Sequence, residues 1–309
     1  MAIPSGTLTG TSAISNLVQT AYDQYVRMAL RSIPVMRALA DVKPVQQAMP
    51  GSSVVFSIYS DLAQATSTLT ESSDVSSIAL GNPNQIAVTL QEYGSAVTTT
   101  KKLNLTSFND VDAALADIIA YNAADSIDAV VASVLTGGSN VLYGGTATNT
   151  SGITAGEKMT VSLLRQAVTE LRTNKALPRI GELYAAYVHP RQSADLRAEA
   201  GTGGFQELTK YVDRTPFVAG AVGVLEGSFV VETPRVPYAA NSSSVNVYKA
   251  IIAGREALAE AMAQDISTVI GPEIDALRRF RTIGWYYFGG FNRLREAALY
   301  RIESATSIN

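Results

Sequence analysis

Two short runs of alternating apolar and polar positions bracket a polar stretch in the first third of the chain. Val54, Phe56 and Ile58 alternate with Val55, Ser57 and Tyr59, and Ile86, Val88 and Leu90 repeat the pattern on the return. A period of two predicts strands. Leu80-Gly81-Asn82-Pro83-Asn84 is turn chemistry. Together they predict a two-stranded ribbon over 51–100 with a polar loop from Gln64 to Asn84. An isolated hairpin is marginal in water, so something outside the ribbon is expected to hold it.

Helical spacing dominates elsewhere. Leu17, Tyr22, Tyr25, Val26, Ala29 and Leu30 predict a helix to about Ser32, followed by extended chain past Pro34, Pro44 and Pro50. The longest predicted helix is 109–135, with Val111, Leu115, Ile118, Ile119, Ile127, Val130, Val131 and Val134 as its apolar positions. At 1.5 Å per residue it would be roughly 40 Å long. Asn109 and Asp110 suit its N-terminus, and Gly137-Gly138 suits its end. Asp110, Asp117 and Asp128 fall on one line of this helix with Asp125 nearby, which predicts an acidic stripe opposite the buried face.

Further along, Thr160 to Asn174 is amphipathic through Leu163, Leu164, Ala167, Val168 and Leu171. Leu183 to Val188 predicts a buried strand that ends at His189-Pro190, and a short helix follows through Leu196. Gly201 to Gly204 predicts a flexible loop. Phe229 to Val231 and Val245 to Ile252 predict more strands, and 257–302 reads as strand-like and mixed around Trp285-Tyr286-Tyr287-Phe288. The elements mix α and β without the regular alternation of a doubly wound sheet. The expected class is α+β.

Composition narrows the function. The chain has 309 residues, of which 47% are hydrophobic and 17% charged, against about a quarter charged in typical soluble domains. A surface so poor in charge suits an oligomer. The absence of cysteine excludes disulfides and thiolate chemistry. No run of about 18 apolar residues predicts a membrane span, and Met1 to Asn16 does not read as a signal peptide. The net charge of −3 hides an asymmetry: 51–157 holds ten acids and two bases, Lys101 and Lys102, whereas 275–303 holds six arginines and three acids. The 51–100 segment has 17 Ser and Thr and no Lys or Arg. Such blocks serve as solvated faces or as complementary faces of two copies.

Catalytic motifs are missing. There is no nucleophile elbow, phosphate-binding loop, dinucleotide fingerprint or His-Glu-x-x-His. His189, the one histidine, reads as a strand-end residue bonded to nearby backbone. The aspartate stripe lacks the clustered loop oxygens that hold Mg²⁺ or Ca²⁺. No cofactor or metal is expected. Arg278, Arg279 and Arg281 are expected in subunit contacts, together with Phe56, Ile58, Tyr59, Glu71 and Asp74 of the ribbon. The aromatic run at 285–288 is expected to anchor a core or an interface.

Several strings carry a resemblance. They are Val188-His189-Pro190-Arg191-Gln192-Ser193-Ala194-Asp195-Leu196-Arg197, Gly227 through Pro237, Gly254-Arg255-Glu256-Ala257-Leu258, and Asp275-Ala276-Leu277-Arg278-Arg279 through Glu303. In this order the chain resembles the major capsid proteins of tailed bacteriophages, the Hong Kong 97 fold shared with encapsulins. The resemblance implies an N-terminal arm (1–50), an extended β-hairpin loop (51–103), a spine helix (104–137), an axial domain (138–245) and return strands of a peripheral domain (246–309). It implies a non-enzymatic shell protein that assembles in the host cytoplasm as hexamers and pentamers around double-stranded DNA. Its partners would be copies of itself, a portal, and a separate scaffolding or decoration protein, with no membrane. The acidic stripe of Asp110, Asp117, Asp125 and Asp128 would then face the interior. An encapsulin-type compartment, or a tail or decoration protein, is the alternative. Some members weld subunits through a loop lysine; 51–100 has none, so no crosslink is carried over.

Overall fold

A computed structural model describes residues 34–44, 52–59, 61–66, 68–69, 71–72, 74–75, 77–106, 111–199, 223–272, 277 and 279–308. The helix expected up to Ser32, the capping pair Asn109 and Asp110, the loop Gly201 to Gly204, and Arg278 lie outside the described residues.

The described chain opens with a 3₁₀ turn, Met36–Leu39, that runs into β1 (Ala40–Pro44). The ribbon strands follow as β2 (Ser53–Ile58) and β3 (Asn84–Thr89), then β4 (Gln91–Thr100). Two helices come next, α1 (Lys101–Thr106) and α2 (Val111–Thr136). The middle of the chain gives β5 (Val141–Tyr143), α3 (Val161–Thr173), β6 (Tyr184–Val188) and α4 (Pro190–Ala198). It closes with β7 (Gly223–Leu225), β8 (Ser228–Glu232), β9 (Tyr238–Ala240), β10 (Asn246–Ala253), β11 (Leu258–Ile270), β12 (Phe280–Arg293) and β13 (Leu299–Ser304).

These strands form three sheets. One has four strands in the order β1-β11-β12-β4. A second has seven, ordered β5-β13-β10-β6-β8-β7, with β9 also on β10. The ribbon β2-β3 is the third. The expected boundary at 246 does not follow this pairing. β10 and β13 pair with each other, and β10 also pairs with β6, so both belong to the seven-stranded sheet; β11 and β12 belong to the four-stranded one. Hydrogen-bond pairing between strands far apart in sequence decides this grouping, and local pattern carries no record of it.

The central strand β6 is buried at every position, and α3 packs Leu164, Ala167, Val168 and Leu171 onto that sheet with Leu196, Ile252 and Ile302. Thr160 caps α3 by accepting from the Leu163 N–H at 3.3 Å.

Helix α2 joins two cores. Its first half lays Leu115, Ile119, Ala123 and Ile127 on Ile283, Trp285 and Tyr287 of β12, and the Trp285 indole donates to Asn122 at 2.9 Å. Its second half packs Val131, Ala132 and Leu135 against Met36, Leu39, Ala185, Tyr187, Ile251 and Ala253. Trp285 and Tyr287 are thus core anchors, as expected. Leu115–Thr136 is long and apolar enough by length and composition to cross a membrane; here Leu115, Ile119, Ala123, Ile127, Val131, Ala132 and Leu135 serve these two protein cores, while Ile118 is exposed.

Candidate functional site: the ribbon and its charged neighbours

The ribbon is held at its root. Val54 pairs with Val88 and Phe56 with Ile86, so alternate side chains share one face. That face packs on Leu90, Ala259, Ala261, Phe288 and Leu294 of the four-stranded sheet and its margins. Gly290 makes the approach possible: a Cβ there would lie 2.0 Å from the Thr89 carbonyl oxygen. Asn292 donates its side-chain amide to the Ala87 carbonyl at 2.9 Å. Lys43 donates to the Val55 carbonyl at 3.1 Å and stands 5.1 Å from the Phe56 ring centre. A segment without a base of its own is thereby gripped by a lysine from β1.

Beyond the root the ribbon is open. Tyr59, Leu62, Leu69, Val75, Ile78 and Leu80 are all exposed. Glu71 and Asp74 are exposed too, and Asp74 accepts from the Val75 N–H at 2.8 Å. Of the expected contact residues, Phe56 and Ile58 are half-buried on the chain's own root, whereas Tyr59, Glu71 and Asp74 point to solvent.

Arg281 lies at the opposite end of β12, and Arg279 stands just before that strand. Both are exposed, and the Arg279 guanidinium sits 5.4 Å from the Phe280 ring centre. The Arg279 carbonyl accepts from the Lys101 N–H at 2.7 Å, which draws the start of α1, Lys101 and Lys102, to the same corner. Arg281 pairs with Thr99 and Gly289 with Gln91. Eight residues of strand therefore separate the arginines from the ribbon root, roughly 26 Å at 3.3 Å per residue. The root positions Phe56 and Ile58 and the arginines thus lie toward opposite ends of the four-stranded sheet.

The expected acidic stripe is corrected by the fold. Asp110 lies outside the described residues and Asp117 is exposed, but Asp128 is buried at 1% exposure. Its Oδ1 accepts the Met36 and Arg37 N–H groups at 2.7 and 3.2 Å. Arg235 pairs with Asp125 and approaches Asp128 Oδ2 at 3.8 Å, while its other nitrogen donates to the Tyr121 hydroxyl at 2.9 Å. The 36–39 turn and Arg235 cover the helix only along its second half. One angular position is therefore solvated at Asp117 and internal at Asp128. The sequence signal was present: Asp128 follows Ile127 and precedes Ala129-Val130-Val131 in an apolar run.

Sequence reasoning missed two further groups. Arg293 donates to the Val134 carbonyl at 3.0 Å, and Arg301 donates to the Thr136 and Gly138 carbonyls. The Val134 carbonyl also accepts the Gly137 N–H at 3.2 Å, so Arg293 adds a second donor there, and both arginines set positive charge at the negative end of the helix. Arg37, the second group, meets Glu260 and Asp265. Burial opposes the charge on Arg37, but the hydrogen bonds it donates to Glu260 and Asp265 outweigh it and hold the guanidinium firmly protonated.

His189 has the structural role expected of it. Its Nδ1 accepts from the Arg191 N–H at 3.2 Å and caps α4, and Gln192 closes the box from the other side. Burial, aided by Arg191, lowers its pKa and favours the neutral ring.

The family model for phage capsid protein matches residues 15–308. No curated protein matches the chain. The capsid of the cyanophage P-SCSP1u is similar over 95% of this chain and 94% of its own, at 17% identity and a TM-score of 0.73. The capsid of Ralstonia phage GP4 is similar over 98% of both chains at 14% identity and a TM-score of 0.73. The acid-stable capsid of Helicobacter pylori bacteriophage KHP30 covers 99% of both at 13% identity and a TM-score of 0.70. At these identities the likeness to solved structures is one of fold.

Proposed function

The chain belongs to the phage capsid protein family, and from that premise we propose that its copies close, as hexamers and pentamers, into an icosahedral shell around the double-stranded DNA of a tailed phage. Its role is structural, that of a major capsid protein in the virion, and its fold is of the Hong Kong 97 type.

The observation that carries the shell reading is the ribbon. Its root is fixed to the four-stranded sheet, and its outer part exposes Leu62, Leu69, Val75, Ile78 and Leu80. Scattered exposed apolar residues are ordinary. Five on one projecting loop make a surface suited to burial against another molecule. The contact residues are Tyr59, Glu71 and Asp74 on the ribbon and Arg279 and Arg281 on the far corner, together with Arg278, which lies outside the described residues, and with Phe56 and Ile58 positioning the root. Acids on the ribbon's loop and bases at the far end of β12 suit contacts between copies. Each contact needs only modest strength, because many sum across a closed shell.

Assembly takes place in the host cytoplasm. The partners are further copies, a portal protein, a separate scaffolding or decoration protein, and packaged DNA held without sequence preference. Negative-stain microscopy of the purified protein tests the reading. Closed shells, or rings of six and five, are expected. A persistent monomer at high concentration would overturn it, and protein cargo in place of nucleic acid in native particles would transfer it to a compartment shell.

A further inference from the structure

Residues 35–44 run through the junction of α2 and the two large sheets, and charged groups do much of the holding. Asp128 of α2 accepts the N–H groups of Met36 and Arg37. The Tyr187 hydroxyl of β6 donates to the Val35 carbonyl at 3.2 Å. Arg179, just before β6, donates to the carbonyls of Ala38 and Ala40 and pairs with Asp41 at 2.6 Å. Asp41 also accepts the Glu256 N–H at 3.0 Å. Met36 and Leu39 fill the core between helix and sheets.

At the centre lies Arg37. Its guanidinium bonds Glu260 through Nε at 3.1 and 3.2 Å and through Nη2 at 2.7 Å, and reaches Asp265 at 3.0 Å. The Tyr287 hydroxyl donates to the same Glu260 carboxylate at 2.9 Å, and its ring lies 5.5 Å from the guanidinium carbon. Glu260 and Asp265 are an odd number of residues apart, so a regular strand would set them on opposite faces. β11 is irregular between Met262 and Gln264 and again between Gln264 and Ser267. The extra residue after Met262 turns Asp265 to the Glu260 side. Two carboxylates are thus aimed at one arginine.

The geometry points to residues 35–44 as a releasable strap: a segment that fixes α2 and both sheets to one another, is latched by Arg37 on Glu260, and leaves its seat as a unit while both sheets stay folded. Among the described residues β1 is an edge strand whose only strand partner is β11, and β11 has β12 as its other partner. The latch is also selective. Glu260 has no exposed surface, and without Arg37 it keeps only the Tyr287 hydroxyl in a buried site. A buried carboxylate that loses its cation is strongly disfavoured. The charge on Glu260 therefore favours either the seated strap or an opened junction that admits water. This inference does not depend on the shell reading.

Hydrogen exchange of the full chain, read by mass spectrometry, tests it. In Arg37→Met, peptides over 35–44 are expected to exchange at least tenfold faster, with β6 and β10 unchanged. Adding Glu260→Gln removes the stranded charge and is expected to return most of the protection. Asp265→Asn weakens the latch from its exposed side and should accelerate exchange only two- to threefold. Unchanged exchange in Arg37→Met would overturn the latch. Acceleration spread evenly through β6 and β10 would overturn release as a unit. Failure of the double variant to recover would show that the Glu260 charge is not what selects the seated state.

Discussion

In the seven-stranded sheet every side chain of β6, Tyr184 to Val188, is buried; in the ribbon strands β2 and β3 only Val54 and Val88 are. β6 lies between β10 and β8 with α3 packed on its sheet, so its neighbours come from its own chain on both edges and over a face. The ribbon has each strand's single partner and a foothold at Leu90, Ala259, Ala261 and Leu294. Burial makes the first region the subunit's own source of stability. Exposure leaves the second with surface to offer. A shell protein needs both, and this chain puts them in different sheets.

Substitutions that exchange the two conditions should show the contrast. The largest effect is expected from Ala186→Asp, which places a carboxylate at a position with no exposed surface in β6. Its cost is several kcal/mol, on the scale of a whole domain's margin of about 5–15 kcal/mol. Loss of the near-ultraviolet dichroism and of soluble yield would report it; a cooperative unfolding transition like that of the unmodified chain would contradict the account of the sheet.

Alkaline pH should act on the same sheet. Burial, reinforced by Asp128, pushes the Tyr187 phenol up to about 12. An unfolded tyrosine ionises near 10. Between those values the unfolded chain has lost this proton and the folded one has kept it, so stability falls as pH rises. The fall attributable to Tyr187 is about 2 kcal/mol by pH 12. Denaturant midpoints measured from pH 9 to 12 should drop, and Tyr187→Phe should flatten the drop. An equal slope in both proteins would remove Tyr187 as the cause.

At the ribbon root, Val88→Ala should cost about 2 kcal/mol locally. Amides of β2 and β3 should exchange faster while those of β6 stay protected. Protection lost equally in both would mean that ribbon and sheet unfold together. The smallest effect on the folded subunit is expected from Arg279→Glu with Arg281→Glu, within about 0.5 kcal/mol as befits exposed charges. The same pair should reduce shell yield sharply in a light-scattering assembly assay. Unchanged yield would return these arginines to a solvated face.

Much of this architecture was legible in sequence because it is local. The period-two runs placed β2 and β3, the apolar run between Asp110 and Gly137 placed α2, and the spacing of Leu163, Leu164, Ala167, Val168 and Leu171 placed α3. Cap chemistry, strand alternation and helix stops act within a few residues of themselves. The candidate residues divide. Tyr59, Glu71, Asp74, Arg279 and Arg281 are exposed, whereas Asp128, expected on an acidic stripe, is an internal acceptor.

The sequence by itself determined the mixture of elements, the charge asymmetry, and a ribbon that needs outside support. Only the tertiary structure decided that the support is Leu90, Leu294, Asn292 and Lys43, that β10 and β13 leave β11 and β12 for another sheet, and that Arg37, Arg235, Arg293 and Arg301 serve as internal ligands of carboxylates and helix carbonyls. The reason is range. Turn and helix preferences are settled among neighbours in the chain. The partner of a buried charge is settled by which distant segment folds over it: Arg37 and Glu260 lie 223 positions apart, and no local pattern records that they meet.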